Sequence, residues 1–332
     1  MSKEQSVLIK GIAILMMLWY HLFISQETVD TSKYISILTI GPLTLENYIA
    51  RACYPVSFFL IISGYGLSYL CQNGKLTLHH QLQKTRRLYL TYWLVLIIFV
   101  PIGCYLQPDK YPGSPINIIS NLLAIDCTYN GETWFLFPYI MISLTAVYIV
   151  KYLLTVRHPL TIVTLIVAYA VCFLICKQLA LMEKSLLTIF LLQVVYYVLL
   201  FFYFTLGILL YRIANHRGSL TIPWLRQPYT IFLIIVLVIL KSFFKVTLLD
   251  GIYAFLFIVF ICNLRLSSAI TRILTSLGHY SLPMWLSHTF FSVYLFPHFI
   301  YGFRYPLLIM ITLTAISYLT AVLIFKIMKF IL

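Results

Sequence analysis

Long apolar runs separated by short polar stretches dominate this chain from end to end. A helix needs about 20 mostly apolar residues, with a range of roughly 17–25, to cross the hydrocarbon of a bilayer. Runs of that kind fall near residues 7–25, 52–71, 88–106, 134–151, 159–176, 186–211, 227–245, 249–264, 281–300 and 305–326. The pattern predicts an all-α, polytopic integral membrane protein of about ten transmembrane helices. The seventh and eighth runs are the weakest, because Lys241, Lys245 and Asp250 crowd the turn between them. Eight spans with a re-entrant hairpin is the alternative.

Composition narrows the class further. Of 332 residues, 62% are hydrophobic and only 10% are charged, whereas a soluble globular domain carries about 25% charged residues. An ordinary soluble enzyme, a disordered chain and a disulfide-stapled secreted domain are excluded on that ground. The seven cysteines are scattered without a CxxC pair, and Cys172 and Cys176 lie one helical turn apart within an apolar run, so neither a metal site nor a disulfide framework is expected. No small-residue cleavage site follows the first run, which therefore reads as a retained helix and not a signal peptide.

The net charge of +14 would point to nucleic acid in a soluble protein. Here the cations fall between apolar runs, so the expected partner is the lipid bilayer, with no nucleic acid. Placing the N-terminus in the cytoplasm puts 15 basic residues, Arg157 among them, against one acid, Glu4, on the inside. The outside segments, which include Lys33, Lys184 and Lys245, balance 8 basic residues against 8 acids. Cations are retained on the cytoplasmic side, so ten spans with both termini cytoplasmic fit the charge pattern. The longest outside loops are then about 26–50 and 107–133, with turn formers such as Gly41-Pro42 and Pro112-Gly113.

Polar side chains inside a span are costly, and each is a functional candidate. His21 lies deep in the first run, eleven residues after Lys10. Eleven residues of α-helix come to about 20° from a whole number of turns, with a rise of roughly 16 Å. Both side chains thus share one stripe, Lys10 at the cytoplasmic mouth and His21 within the bilayer. Lys10 snorkelling to lipid phosphates and His21 bonding a neighbouring helix is the plain alternative. Lys84 and Arg87 share a helix face just before the third run, where with Lys10 they would form a three-cation cluster suited to a phosphorylated cofactor. Ser63 and Gly64 are small residues suited either to close helix packing or to the wall of a narrow cavity. Glu132 and Trp134 stand at the outer start of the fourth run, by default an exposed loop acid and an interfacial belt residue. His288 falls inside the ninth run, in either a structural or a cavity role.

Taken together, these segments resemble the acyltransferase-3 family of integral membrane acyltransferases. Lys10 and His21 match its Arg/Lys-x10-His signature, and Ser57-Phe-Phe-Leu-Ile-Ile-Ser63-Gly64 is similar to its Phe-Phe-x-x-Ser-Gly motif. Thr133-Trp134-Phe135-Leu136 is similar to its Trp-Phe-Leu segment, and Leu277-Gly278 through His288 to its late Gly-x-x-Ser…Leu-x-His segment. Two departures stand out. The family's Arg-x-x-Arg begins here with Lys84, a point charge without the guanidinium fork. Members with a fused hydrolase-like domain often carry Glu five residues after the Trp, where this chain has Tyr139.

The resemblance implies a single transmembrane acyltransferase domain over 1–332, a stand-alone member without an appended soluble domain, in the plasma membrane. It implies an O-acyltransferase that takes an acyl group, commonly acetyl, from cytoplasmic acyl-CoA (acetyl-CoA as donor substrate, with no tightly bound cofactor). The acceptor would be a hydroxyl of an extracytoplasmic glycan such as capsular or exopolysaccharide. Lys10, Lys84 and Arg87 would hold the donor's phosphates, and Ser63 would line the path of its pantetheine arm. His21 would act as general base or as nucleophile, with Glu132, Trp134 and His288 on the acceptor side or the cavity wall. A transporter or flippase for an envelope glycan or its lipid-linked precursor is the rival reading.

Overall fold

The computed structural model describes residues 1–24, 34–156, 158–183, 185–244 and 246–331, with only the backbone of 158–162. Lys33, Arg157, Lys184 and Lys245 of the charge partition, and residues 26–33 of the first outer loop, lie outside the described residues. The chain is overwhelmingly helical and divides into two compact units. One comprises residues 1–56, 90–111 and 220–332; the other comprises 57–89 and 112–219.

The first unit is organised around α1 (Lys3–Phe23), which opens with Ser2 and Gln5 in a reciprocal capping box. Against it pack α2 (Leu45–Arg51), α10 (Leu248–Asn263), α11 (Ser268–His279), α12 (Ser281–Thr289) and α14 (Pro306–Ile331). The contact with α11 is nearly backbone on backbone. A Cβ placed on Gly11 would lie 1.9 Å from the Leu274 carbonyl oxygen, and one on Gly278 would lie 1.9 Å from that of Val7. Only glycine permits that approach at either position. The pair α9 (Gln227–Phe243) and α10 is closed by an ion pair, Lys241 Nζ to Asp250 at 2.9 Å, both side chains buried. Lys241 also donates to the backbone carbonyls of Arg51 and Phe244, so the buried ammonium is well provided with acceptors.

In the second unit, α3 (Val56–Gln72, described here from Ser57) crosses α8 (Leu186–Arg217) in a similar way. A Cβ on Gly64 would meet the Phe204 carbonyl oxygen at 2.0 Å, and one on Gly207 would meet that of Ile61 at 2.1 Å. α6 (Leu136–Thr155) and α7 (His158–Leu179) pack on α8. The N-terminal part of α4 (Leu78–Leu106) and the short α5 (Pro115–Leu122) complete this unit, while the rest of α4 belongs to the first.

Among the described residues, six stretches are long and apolar enough to cross a membrane: Lys3–Phe23, Leu45–Gln72, Leu78–Leu106, Gly131–Thr155, Leu186–Arg217 and Pro306–Ile331. They coincide with six of the ten predicted runs. The fifth, seventh and eighth runs form shorter apolar helices, over Val163–Leu179, Gln227–Phe243 and Leu248–Asn263. The ninth is not one helix. It is α12, a π-turn (Phe290–Tyr294), an irregular step at Phe296 and α13 (Pro297–Tyr301). Pro297 explains where the ladder ends, since it has no N–H to continue it. α11 was not foreseen as a helix, and α4 begins ten residues before the expected start of the third run.

Candidate active site

Within the first unit, the structure brings His21 and His288 together, with ring centroids 5.1 Å apart. His21 stands in the last turn of α1, where helical carbonyls lack intrahelical donors. Those groups are satisfied: Tyr301 Oη donates to the Leu22 carbonyl at 2.9 Å, and Asn47 Nδ2 donates to Phe23 and Ile24 at 3.0 and 2.9 Å. Trp19 Nε1 adds a bond to the Glu46 carbonyl. The helix end that carries His21 is therefore fixed from α2 and α13. His21 keeps partial exposure between Met17, Leu18, Leu22 and Phe23, which are buried.

His288 is fully buried on α12. Its Nδ1 lies 2.8 Å from the Trp285 carbonyl oxygen and 3.2 Å from that of Met284. A carbonyl only accepts, so Nδ1 carries the proton and Nε2 is the bare nitrogen. Nε2 is buried and has no hydrogen-bond partner among the described residues. Phe99 stacks on Phe290 at 4.6 Å, and Gln107 Nε2 donates to the Tyr294 carbonyl, so the π-turn beyond His288 is held on both sides. π-turns of this kind occur frequently at functional sites.

The second unit holds a separate polar chain. Lys84 Nζ donates to Tyr139 Oη at 3.1 Å, and Tyr139 Oη lies 3.1 Å from Ser63 Oγ. The Lys84 ammonium also lies 5.5 Å from the centre of the Tyr139 ring. Deeper in the same seam, Ser143 Oγ donates to Gln81 Oε1 at 2.8 Å. Ser63 is nine residues from the Gln72 end of α3, roughly 14 Å along the axis. Lys84 and Arg87 are both exposed and lie within continuous helix, three residues apart on one face, not ahead of it as the sequence pattern indicated. Lys10, half-buried on α1, belongs to the first unit. Tyr139, a tyrosine in an apolar run, reads as packing in the sequence; its place five residues after Trp134, where members with a fused hydrolase-like domain often carry Glu, is the signal the sequence offers.

The expected outer loop at 107–133 is a folded segment from Pro112 onward. Tyr89 Oη donates to the Leu123 carbonyl, and Gln193 Nε2 to that of Ile125. Glu132 is half-buried in a 3₁₀ turn (Gly131–Thr133) whose N-cap is Asn130, so it is not a freely exposed loop acid. Trp134 closes that 3₁₀ turn, just ahead of α6, and is half-buried. It packs edge-on against Tyr196 at 4.9 Å, roughly 15 Å along α8 from its start. Among the described residues, no group of three or more His, Cys, Asp or Glu is placed to hold a metal ion.

The long apolar helices suit a membrane protein, and the family comparison defines its class as an acyltransferase. Residues 7–326 match the acyltransferase-3 family, described as an acyltransferase domain, and the chain belongs to that family. No curated protein and no solved structure matches the chain.

Proposed function

We propose that the protein transfers an acyl group, acetyl in the simplest case, from cytoplasmic acyl-CoA to a hydroxyl of an extracytoplasmic glycan, and that it does so in the plasma membrane. The observation that carries this reading is the pairing of His21, on an unbroken α1 that also carries Lys10, with His288 of α12. Lys10, Lys84 and Arg87 receive the donor's phosphates through charge-assisted bonds, and Ser63 lines the path of the pantetheine arm. His21 either removes the proton of the acceptor hydroxyl as it attacks the thioester carbonyl, or attacks that carbonyl itself. In either case CoA leaves as the thiolate and takes up the proton that the hydroxyl sheds; in the second, the acyl group rests on the imidazole until the hydroxyl displaces it. The bare Nε2 of His288 is a proton acceptor close to the His21 ring. Glu132 and Trp134 belong to the acceptor side.

The test is isotope-labelled acetyl-CoA with glycan extracted from the same envelope, comparing wild type with His21→Ala. Label in glycan only when His21 is present supports the reading. Equal labelling by a well-folded His21→Ala protein removes it. The interruption at Phe290–Tyr294 is a feature that transport proteins also use. Movement of glycan without release of CoA would select a transporter or flippase.

A further inference from the structure

At one end of the first unit, a hollow of about 480 Å³ opens between the start of α1, helix α11 and the last turns of α14. Its lining includes Glu4, Arg272, Ser276, His279, Tyr280 and Phe325. Glu4, Arg272 and His279 are exposed and face this shared space without a hydrogen bond or ion pair to any described residue. One wall is aromatic: Tyr280 meets Tyr318 and Phe325 edge-on, at 5.2 and 5.4 Å. Ser276 Oγ and Tyr318 Oη, 2.7 Å apart, fix that wall to α11.

A ligand of a single sign fits this lining poorly. An anion drawn to Arg272 meets the Glu4 carboxylate, and a cation drawn to Glu4 meets the guanidinium. A ligand carrying both signs on one short linker satisfies both. Its phosphate takes the planar fork of Arg272 with His279 as a second donor, and its ammonium lies between Glu4 and the aromatic wall. The hollow also lies where two long apolar helices end, since Glu4 is in the first turn of α1 and Phe325 is near the end of α14. Ile311 of α14, which shares the helical face of Tyr318 and Phe325, is 61% exposed, which offers acyl chains an apolar track leading away from the hollow. We propose that this hollow binds one zwitterionic phospholipid through a headgroup carrying phosphate and a primary ammonium. The inference does not depend on the acyl-transfer reading.

Native mass spectrometry of the delipidated full chain in detergent tests it, with phosphatidylethanolamine and phosphatidylglycerol as probes. The expected result is one phosphatidylethanolamine per chain, held at least about tenfold more tightly than phosphatidylglycerol. Glu4→Gln is expected to bring that ratio close to one, and Arg272→Gln to weaken both lipids about tenfold. Both positions are exposed, and the melting temperature without lipid checks that each variant folds. Equal retention of the two lipids by the wild type, or an unchanged ratio in Glu4→Gln, overturns the proposal. Glycerophosphoethanolamine, which has the headgroup without acyl chains, is expected to compete about 100-fold more weakly. Equal potency would overturn the lipid as occupant and assign the hollow to a soluble ligand.

Discussion

The two units each bring a pair of helices into near backbone contact through glycines, α1 on α11 in one and α3 on α8 in the other. What the crossings carry differs. In the first unit the bonds beside the site run from side chains to backbone carbonyls: His288 to that of Trp285, and Tyr301 and Asn47 to those of Leu22 and Phe23 at the end of α1. In the second, the chain Ser63–Tyr139–Lys84 is made of side chains alone and ends in an exposed ammonium. A group fixed by backbone keeps one geometry, which suits proton transfer and nucleophilic attack. A group held by other side chains adapts to its ligand, which suits holding a flexible donor. Under the proposed function, the comparison predicts that the first unit governs rate and the second affinity.

That division is open to direct attack. His21→Ala is expected to lower kcat by at least about 10³-fold, roughly 4 kcal/mol of barrier, with the KM for acyl-CoA little changed. A loss confined to KM would reverse the assignment. His288→Gln keeps a polar side chain but removes the imidazole, and about a 30-fold fall in kcat is expected, roughly 2 kcal/mol. The diagnostic readout is the pH–rate profile, which should change shape; a uniform fall at every pH would reduce His288 to packing. Gly11→Ala and Gly64→Ala each push a methyl into a carbonyl oxygen, and each is expected to destabilise by about 2 kcal/mol. Thermal unfolding in detergent would show it, and if one crossing tolerates the methyl, that unit is the looser of the two. Tyr139→Phe removes a hydroxyl that joins Ser63 to Lys84 and is expected to raise the KM for acyl-CoA about fivefold, roughly 1 kcal/mol, at constant kcat.

Much of the helical plan was legible in the sequence, because long apolar runs have few alternatives in a bilayer. Most of the departures occur where polar residues interrupt the pattern. α11 is hidden in the sequence because Thr271, Arg272, Thr275 and Ser276 look like a loop when read in line, although Leu277 and Gly278 are buried. The polar start of α4, Leu78 to Arg87, lies outside the apolar run for the same reason, and only the shared face of Lys84 and Arg87 hints at it. Of the site, His21 and His288 were each visible as costly polar residues in apolar runs, but their pairing joins positions 267 apart and no local pattern encodes it. Tyr139 carried no signal by composition; only the meeting of α3, α4 and α6 gives it partners.

The π-turn after His288 has a bearing on which changes in chain length this family member tolerates. The Leu295 N–H reaches the Phe290 carbonyl at 2.8 Å, a five-residue step that takes up one residue more than an α-helical turn. On one side of that step His288 meets His21, and on the other Tyr301 holds the carbonyl of Leu22. The interval between them thus acts as a ruler, both of whose ends touch neighbouring residues of α1. Removing one residue from it restores an ordinary helical turn but pulls one end off its mark, whereas a residue gained or lost in the exposed turn around Gly218 disturbs neither end.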